Sequence, residues 1–165
     1  ARLVLLAPAA IPFLLKTLDN PCGIEEEIFN RIHQTFTLDF PGWAEANAGP
    51  YFTPGTPRAV IDWTIRMMTG ASLRAAIEMN RNQVSTDFRD ELPRIDIPTL
   101  VIHGDRDASA PLEVTGRPTA AMIPGARLVV YEGAPHGLYF THREKLNQDL
   151  AQFANSSSYE RAIAC

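Results

Sequence analysis

Three short runs in this chain are apolar at nearly every position: RLVLLA at 2–7, PTLVIHG at 98–104 and ARLVVYEG at 126–133. A strand with one wet face alternates apolar and polar residues. An unbroken apolar run of this length suits a strand covered on both faces, as in parallel sheets. Parallel strands in turn demand crossovers. Between the second and third runs lies PLEVTGRPTAAMIPG, which reads as a helical crossover. After the third, THREKLNQDLAQFAN sets Leu146, Leu150 and Phe153 on one helical face. Strand, helix, strand, helix is a βαβα unit, right-handed and parallel in nearly all proteins.

Residues 20–90 have another character. IEEEIFNRIHQTF carries acids in its first turn and predicts a helix with Ile28, Ile32 and Phe36 along one face. PRAVIDWTIRMM and SLRAAIEMNRNQV also read as helices, the second capped by Ser72. FPGWAEANAGPYFTPGTP, rich in proline and glycine, reads as loops. An insertion of about 70 residues is too long for a simple crossover. It is better read as a cap over the end of the sheet. The expected division is a core of 1–19 and 91–155, a helical cap of 20–90, and a frayed tail of 156–165.

A chain of 165 residues, 45% apolar, can bury one core. No apolar run reaches the roughly 18 residues of a membrane helix. A net charge of −4 without a basic stripe argues against nucleic acid as a partner. The two cysteines, Cys22 and Cys165, make neither a disulfide scaffold nor a zinc site. His33, His103, His136 and His142 form no HxH or HExxH arrangement, so no metal is expected. A reducing, cytoplasmic setting is the default reading. The opening ARLVLLAPAA looks like an interior strand rather than a signal peptide. The expectation is a chain that begins partway through a larger fold.

In open parallel sheets, functional groups collect at the carboxyl ends of the strands. The loop after the second run is GDRDASAP, and after the third it is GAPHGL. If those strands are neighbours, about 4.8 Å apart, Asp107 and His136 meet. An aspartate that accepts from a histidine Nδ1–H fixes its tautomer and stabilises the imidazolium formed in turnover. An aspartate in such a turn also serves as a turn or capping residue, and a histidine after a strand as a surface residue. The residues alone leave both readings open.

IDIPTLVIHGDRDASAPLE, followed by IPGARLVVYEGAPHGLYFTHREKLNQDLAQF, resembles the C-terminal part of the α/β-hydrolases called cofactor-free, or non-haem, haloperoxidases. That group includes aryl esterases and perhydrolases. RLVLLAPAAIPFLLKTLDNP is similar to the segment after the nucleophile helix in the same group. The resemblance implies an α/β fold, here a partial α/β-hydrolase fold of three parallel strands with flanking helices and a helical cap. It implies His136 as catalytic base and Asp107 as its acid, with Asp105 the competing acid and more suited to bracing the turn. Ala9, Phe13 and Ser109 match substrate-pocket positions, the family more often carrying an aliphatic residue at the last. The implied chemistry is hydrolysis or perhydrolysis of small esters through an acyl-serine, with no cofactor.

The family's serine lies in G-x-S-x-G, on a strained turn between a strand and the next helix. These residues contain no such motif. The nearest string, GASLR at 70–74, lacks the second glycine, and Ser85 and the serines of 156–158 are no better placed. On its own the chain is therefore expected to be inactive, lacking nucleophile and oxyanion hole. The strand at 2–7 is expected to present an apolar edge. An N-terminal-half chain would cover it, or a second copy in a homodimer. The alternative reading is an inactive stand-alone remnant that binds a small ligand or dimerises. A third, the His–Asp pair as general base without a covalent step, has no support beyond the pair itself.

Overall fold

The computed structural model describes residues 1–156. Strand β1 is Leu3–Leu6, β2 is Thr99–Gly104 and β3 is Arg127–Tyr131. They form one parallel sheet in the order β1-β2-β3. Leu3 pairs with Thr99 at one seam and Gly104 with Tyr131 at the other. Every residue of β2 is buried, as its unbroken apolar run requires. Its alternating side chains serve two layers. Leu100 and Ile102 pack with Tyr131, Leu138, Leu146 and Phe153 in the main core. On the opposite face, His103 lies against Gly116 at the start of helix α4 (Gly116–Met122).

Three helices occupy the chain between β1 and β2: α1 (Glu26–Tyr51), α2 (Arg58–Thr69) and α3 (Leu73–Ser85). Ser72 caps α3, its hydroxyl accepting from the Ala75 N–H. Helix α1 contradicts the first part of the loop expected over 40–57, because it continues to Tyr51, leaving only 52–57 as loop. The cause is a restart. Asp39 leaves helical geometry (φ −156°, ψ 77°), and its Oδ1 accepts from the Gly42 N–H at 2.9 Å. Asp39 is thus an internal N-cap, and Pro41 falls in the first turn of the new segment, where its missing N–H costs nothing. Ala44 and Ala48 then bury the inner face.

The buried stripe of α1 also departs from expectation. Phe29, Phe36 and Phe40 are buried, whereas Ile28 is 40% exposed. The larger Phe29 ring takes the place against Leu14 and Val84, with Ile32 beside it. The crossover between β2 and β3 has only the short α4, since a turn at Pro111 accepts the N–H groups of Val114 and Thr115. Beyond β3 come α5 (Leu138–Thr141) and α6 (Arg143–Asn155). Leu146 and Phe153 of α6 are buried, with Leu150 packed at their margin. Of the expected tail, residues 157–165 lie outside the described residues. No helix among the described residues is long and apolar enough to cross a membrane.

Candidate active site

Adjacent strands bring the two loops together, and backbone bonds stitch them. Past the end of β2, the Asp105 N–H donates to Tyr131 O and the Arg106 N–H to Ala134 O. Gly104 approaches the second loop so closely that a Cβ there would lie 2.1 Å from Ala134 O. Asp105 braces the turn: its Oδ1 accepts the Gly133 N–H at 2.7 Å, where Gly133 adopts φ +70°. Asp107, two residues on, faces inward.

The Asp107 side chain is wholly buried and each of its oxygens is engaged. Oδ1 accepts the N–H groups of Ser109 at 2.9 Å and Ala110 at 2.7 Å. Oδ2 lies 2.6 Å from His136 Nδ1 and 3.2 Å from His103 Nε2. Burial pushes this carboxyl up, but the contacts from His103 and His136, with the Ala110 N–H, outweigh it. The net result holds Asp107 well below the usual carboxylate range. It is a carboxylate, so His136 Nδ1 carries the proton and Nε2 remains as the ring nitrogen able to accept one.

The His136 side chain is 18% exposed and lines a cavity of about 440 Å³. Leu14, Phe29, Ile32, Trp43, Met68 and Val84 form its apolar wall. Ala9 and Ser109 line the same cavity. Phe13 is not among its lining residues. Its neighbour Leu14 faces the cavity, while the Phe13 ring carries the Arg89 guanidinium 4.9 Å from its centroid. Ser72 stands at its helix cap and Ser85 returns its hydroxyl to Arg81 O, so neither belongs to this cavity.

Two residues of the site were not singled out by sequence reasoning. Tyr51, the last residue of α1, sets its ring edge-on to the His136 imidazole with centroids 5.0 Å apart. Its carbonyl accepts the Gly137 N–H at 2.7 Å. A Cβ at position 137 would lie 2.7 Å from the Phe52 ring and 2.8 Å from that carbonyl, so only glycine lets the helix end dock here. Burial pushes the Tyr51 phenol far up, with the neighbouring Tyr139 adding to the effect. It stays a neutral phenol beside the imidazole. The other residue is His103, a polar member of an otherwise apolar run. That oddity was the only sequence signal available for either.

Residues 74–165 match the α/β-hydrolase family described as TAP-like protein. The chain is 32% identical over 161 residues to non-heme chloroperoxidase CPO-A1 of Kitasatospora aureofaciens, covering 93% of this chain and 58% of that protein. It is likewise 32% identical over 164 residues to the bifunctional esterase/perhydrolase DCH of Acinetobacter calcoaceticus, with 94% and 58% covered. It superposes on the crystal structure of bromoperoxidase from Bacillus anthracis with a TM-score of 0.88 at 28% identity, over 94% of this chain and 58% of that one. The chain thus spans somewhat more than half the length of the relatives it matches. Its parallel sheet, its order of elements and these matches together show that the chain belongs to the α/β-hydrolase superfamily and corresponds to the C-terminal part of its non-haem haloperoxidase and esterase relatives.

Proposed function

We propose that this chain supplies the base and the acid of a serine hydrolase, His136 acting as general base and Asp107 as the acid that orients it. The observation that supports this reading most is the 2.6 Å contact between His136 Nδ1 and a buried Asp107 carboxylate, beside a largely apolar cavity. In the assembled enzyme, a serine hydroxyl would lose its proton to His136 Nε2 as its oxygen attacks the ester carbonyl. The imidazolium then returns that proton to the departing alcohol, leaving an acyl-serine. Water, or hydrogen peroxide in its place, repeats the sequence to release acid or peracid. Small aryl or alkyl esters are the proposed substrates, with Ala9 and Ser109 at the acyl pocket.

Serine and oxyanion donors come, on this reading, from sequence outside these 165 residues. Among the described residues β1 pairs only with β2, and Leu6 is 39% exposed. An N-terminal-half chain would extend the sheet there. A second reading is favoured by the absence of G-x-S-x-G from the sequence: an inactive module that binds a small ligand or pairs with a second copy at that edge.

The deciding experiment combines the chain with a serine-bearing N-terminal segment of a haloperoxidase relative and follows p-nitrophenyl acetate turnover. The hydrolase reading expects turnover from the complex, absent from either part alone and abolished by His136→Ala. A complex that forms by size-exclusion chromatography yet shows no turnover would refute it in favour of the module.

A further inference from the structure

The His103 side chain, like that of Asp107, has no exposed surface, and the proposed acid–base chemistry does not use it. Its Nε2 lies 2.8 Å from Ala110 O and 3.2 Å from Asp107 Oδ2. Both are acceptors. A lone pair on Nε2 would face two electron-rich oxygens, so the proton sits on Nε2. Its Nδ1 is buried without a hydrogen-bond partner and packs over Gly116, where a Cβ would come within 2.3 Å of it. A fixed, buried imidazole with one nitrogen orphaned is costly to keep unless the other does something the fold needs.

We propose that His103 is a positioning residue for the Asp107–His136 pair. Its Nε2–H holds the Ala110 carbonyl, while the N–H of the same residue, Ala110, holds Asp107 Oδ1. The segment 107–110 is thereby clamped from the strand side. The same Nε2–H leans on Oδ2, beside the bond from His136. Oδ1 already takes two backbone donors, so the carboxylate has four donors around it and no freedom to rotate. Its Oδ2 presents one geometry to His136 Nδ1 and keeps that imidazole in the Nδ1–H tautomer. The proposal rests on reading Asp107 and His136 as the working pair, but its test needs no substrate.

The test is long-range ¹H–¹⁵N spectroscopy of the histidine side chains in the 165-residue chain. The wild-type expectation is His103 as the Nε2–H tautomer and His136 as the Nδ1–H tautomer, with a downfield Nδ1 proton. In His103→Leu, the downfield His136 proton should be lost to exchange and the tautomers should mix. His103→Gln, whose amide N–H reaches a similar point, should restore both. An Ile102→Val control, softening the same strand, should leave both unchanged. An unaltered His136 signature in His103→Leu would overturn the proposal. Should that variant fail to fold, a wild-type His103 found protonated on Nδ1 would overturn it alone, and the Nε2–H form with rescue in His103→Gln would uphold it. Failure here leaves the hydrolase reading standing, and failed turnover in the assembled enzyme leaves the positioning role standing.

Discussion

Replacing Asp107 with asparagine tests the electrostatic account of the site most directly. The carboxylate meets four donors: two backbone N–H groups at Oδ1, and His136 Nδ1 with His103 Nε2 at Oδ2. Asparagine has one acceptor oxygen. Turned toward the backbone pair, it sets its NH₂ group against the two imidazoles. The His136 bond to a charged acceptor is then lost outright, and the longer His103 contact becomes repulsive. At about 1.5–3 kcal/mol for a bond to a charged group, with a smaller second loss, the variant should be about 2–4 kcal/mol less stable at neutral pH. Urea denaturation monitored by circular dichroism reads this as a lower midpoint at unchanged slope.

The pH dependence carries the sign. Native Asp107 is held well below the unfolded value of about 3.9, because the imidazole contacts and the Ala110 N–H outweigh burial. The unfolded chain therefore takes up a proton that the native chain refuses. This stabilisation is complete above about pH 5 and fades as pH falls through the unfolded value toward the native one. At about pH 3 the wild type should have lost roughly 1.3 kcal/mol of it, whereas asparagine has none to lose. The difference between the two proteins should narrow by that amount between pH 7 and pH 3. A neutral-pH difference under about 1 kcal/mol, or one that stays constant on acidification, would refute the reasoning. In an assembled enzyme the same substitution, by inverting the tautomer, should cost about 10⁴ in kcat.

Gly137→Ala forces a methyl group into the Phe52 ring and Tyr51 carbonyl; a loss of about 1–3 kcal/mol is expected by denaturation. It should also perturb the His136 ring signals, since Tyr51 touches that imidazole. Asp39→Ala removes the internal cap of α1 and should cost about 1 kcal/mol, with a measurable drop in helical circular dichroism. Tyr131→Phe deletes the 2.6 Å bond from the phenol to Asp149 Oδ2, and a thermal melt should show about 1–2 kcal/mol lost. Phe36→Ala, emptying the aromatic cluster with Phe40 and Trp43, should cost about 3–5 kcal/mol.

Much of the sheet was legible because its signal is local. A strand covered on both faces shows itself in its own five or six residues, and β2 is buried throughout. The Asp107 and His136 loops follow the strands directly, so neighbouring strands were enough to bring them together. The loop reading held over 52–57 but failed over 40–51, for a different reason. Pro41 and Gly42 break a helix in its interior, yet suit the first turn of one that restarts at Asp39. Nothing local distinguishes those two cases until Ala44 and Ala48 are known to have a core to face.

The three strand runs, the loops after them that carry Asp107 and His136, and the lack of a G-x-S-x-G motif were determined by the sequence itself, being matters of residue type and short-range pattern. Only the tertiary structure decided which groups share Asp107. His103 precedes it by four residues on β2, His136 follows on the loop after β3, and both meet one oxygen. It also decided that Leu14 rather than Phe13 faces the cavity, and that the end of α1 rests on the His136 loop through Tyr51 and Gly137. Apart from the His103–Asp107 contact, those contacts join segments far apart in the chain. Their geometry depends on how the helices settle on the sheet, and periodicity within one segment carries no trace of that.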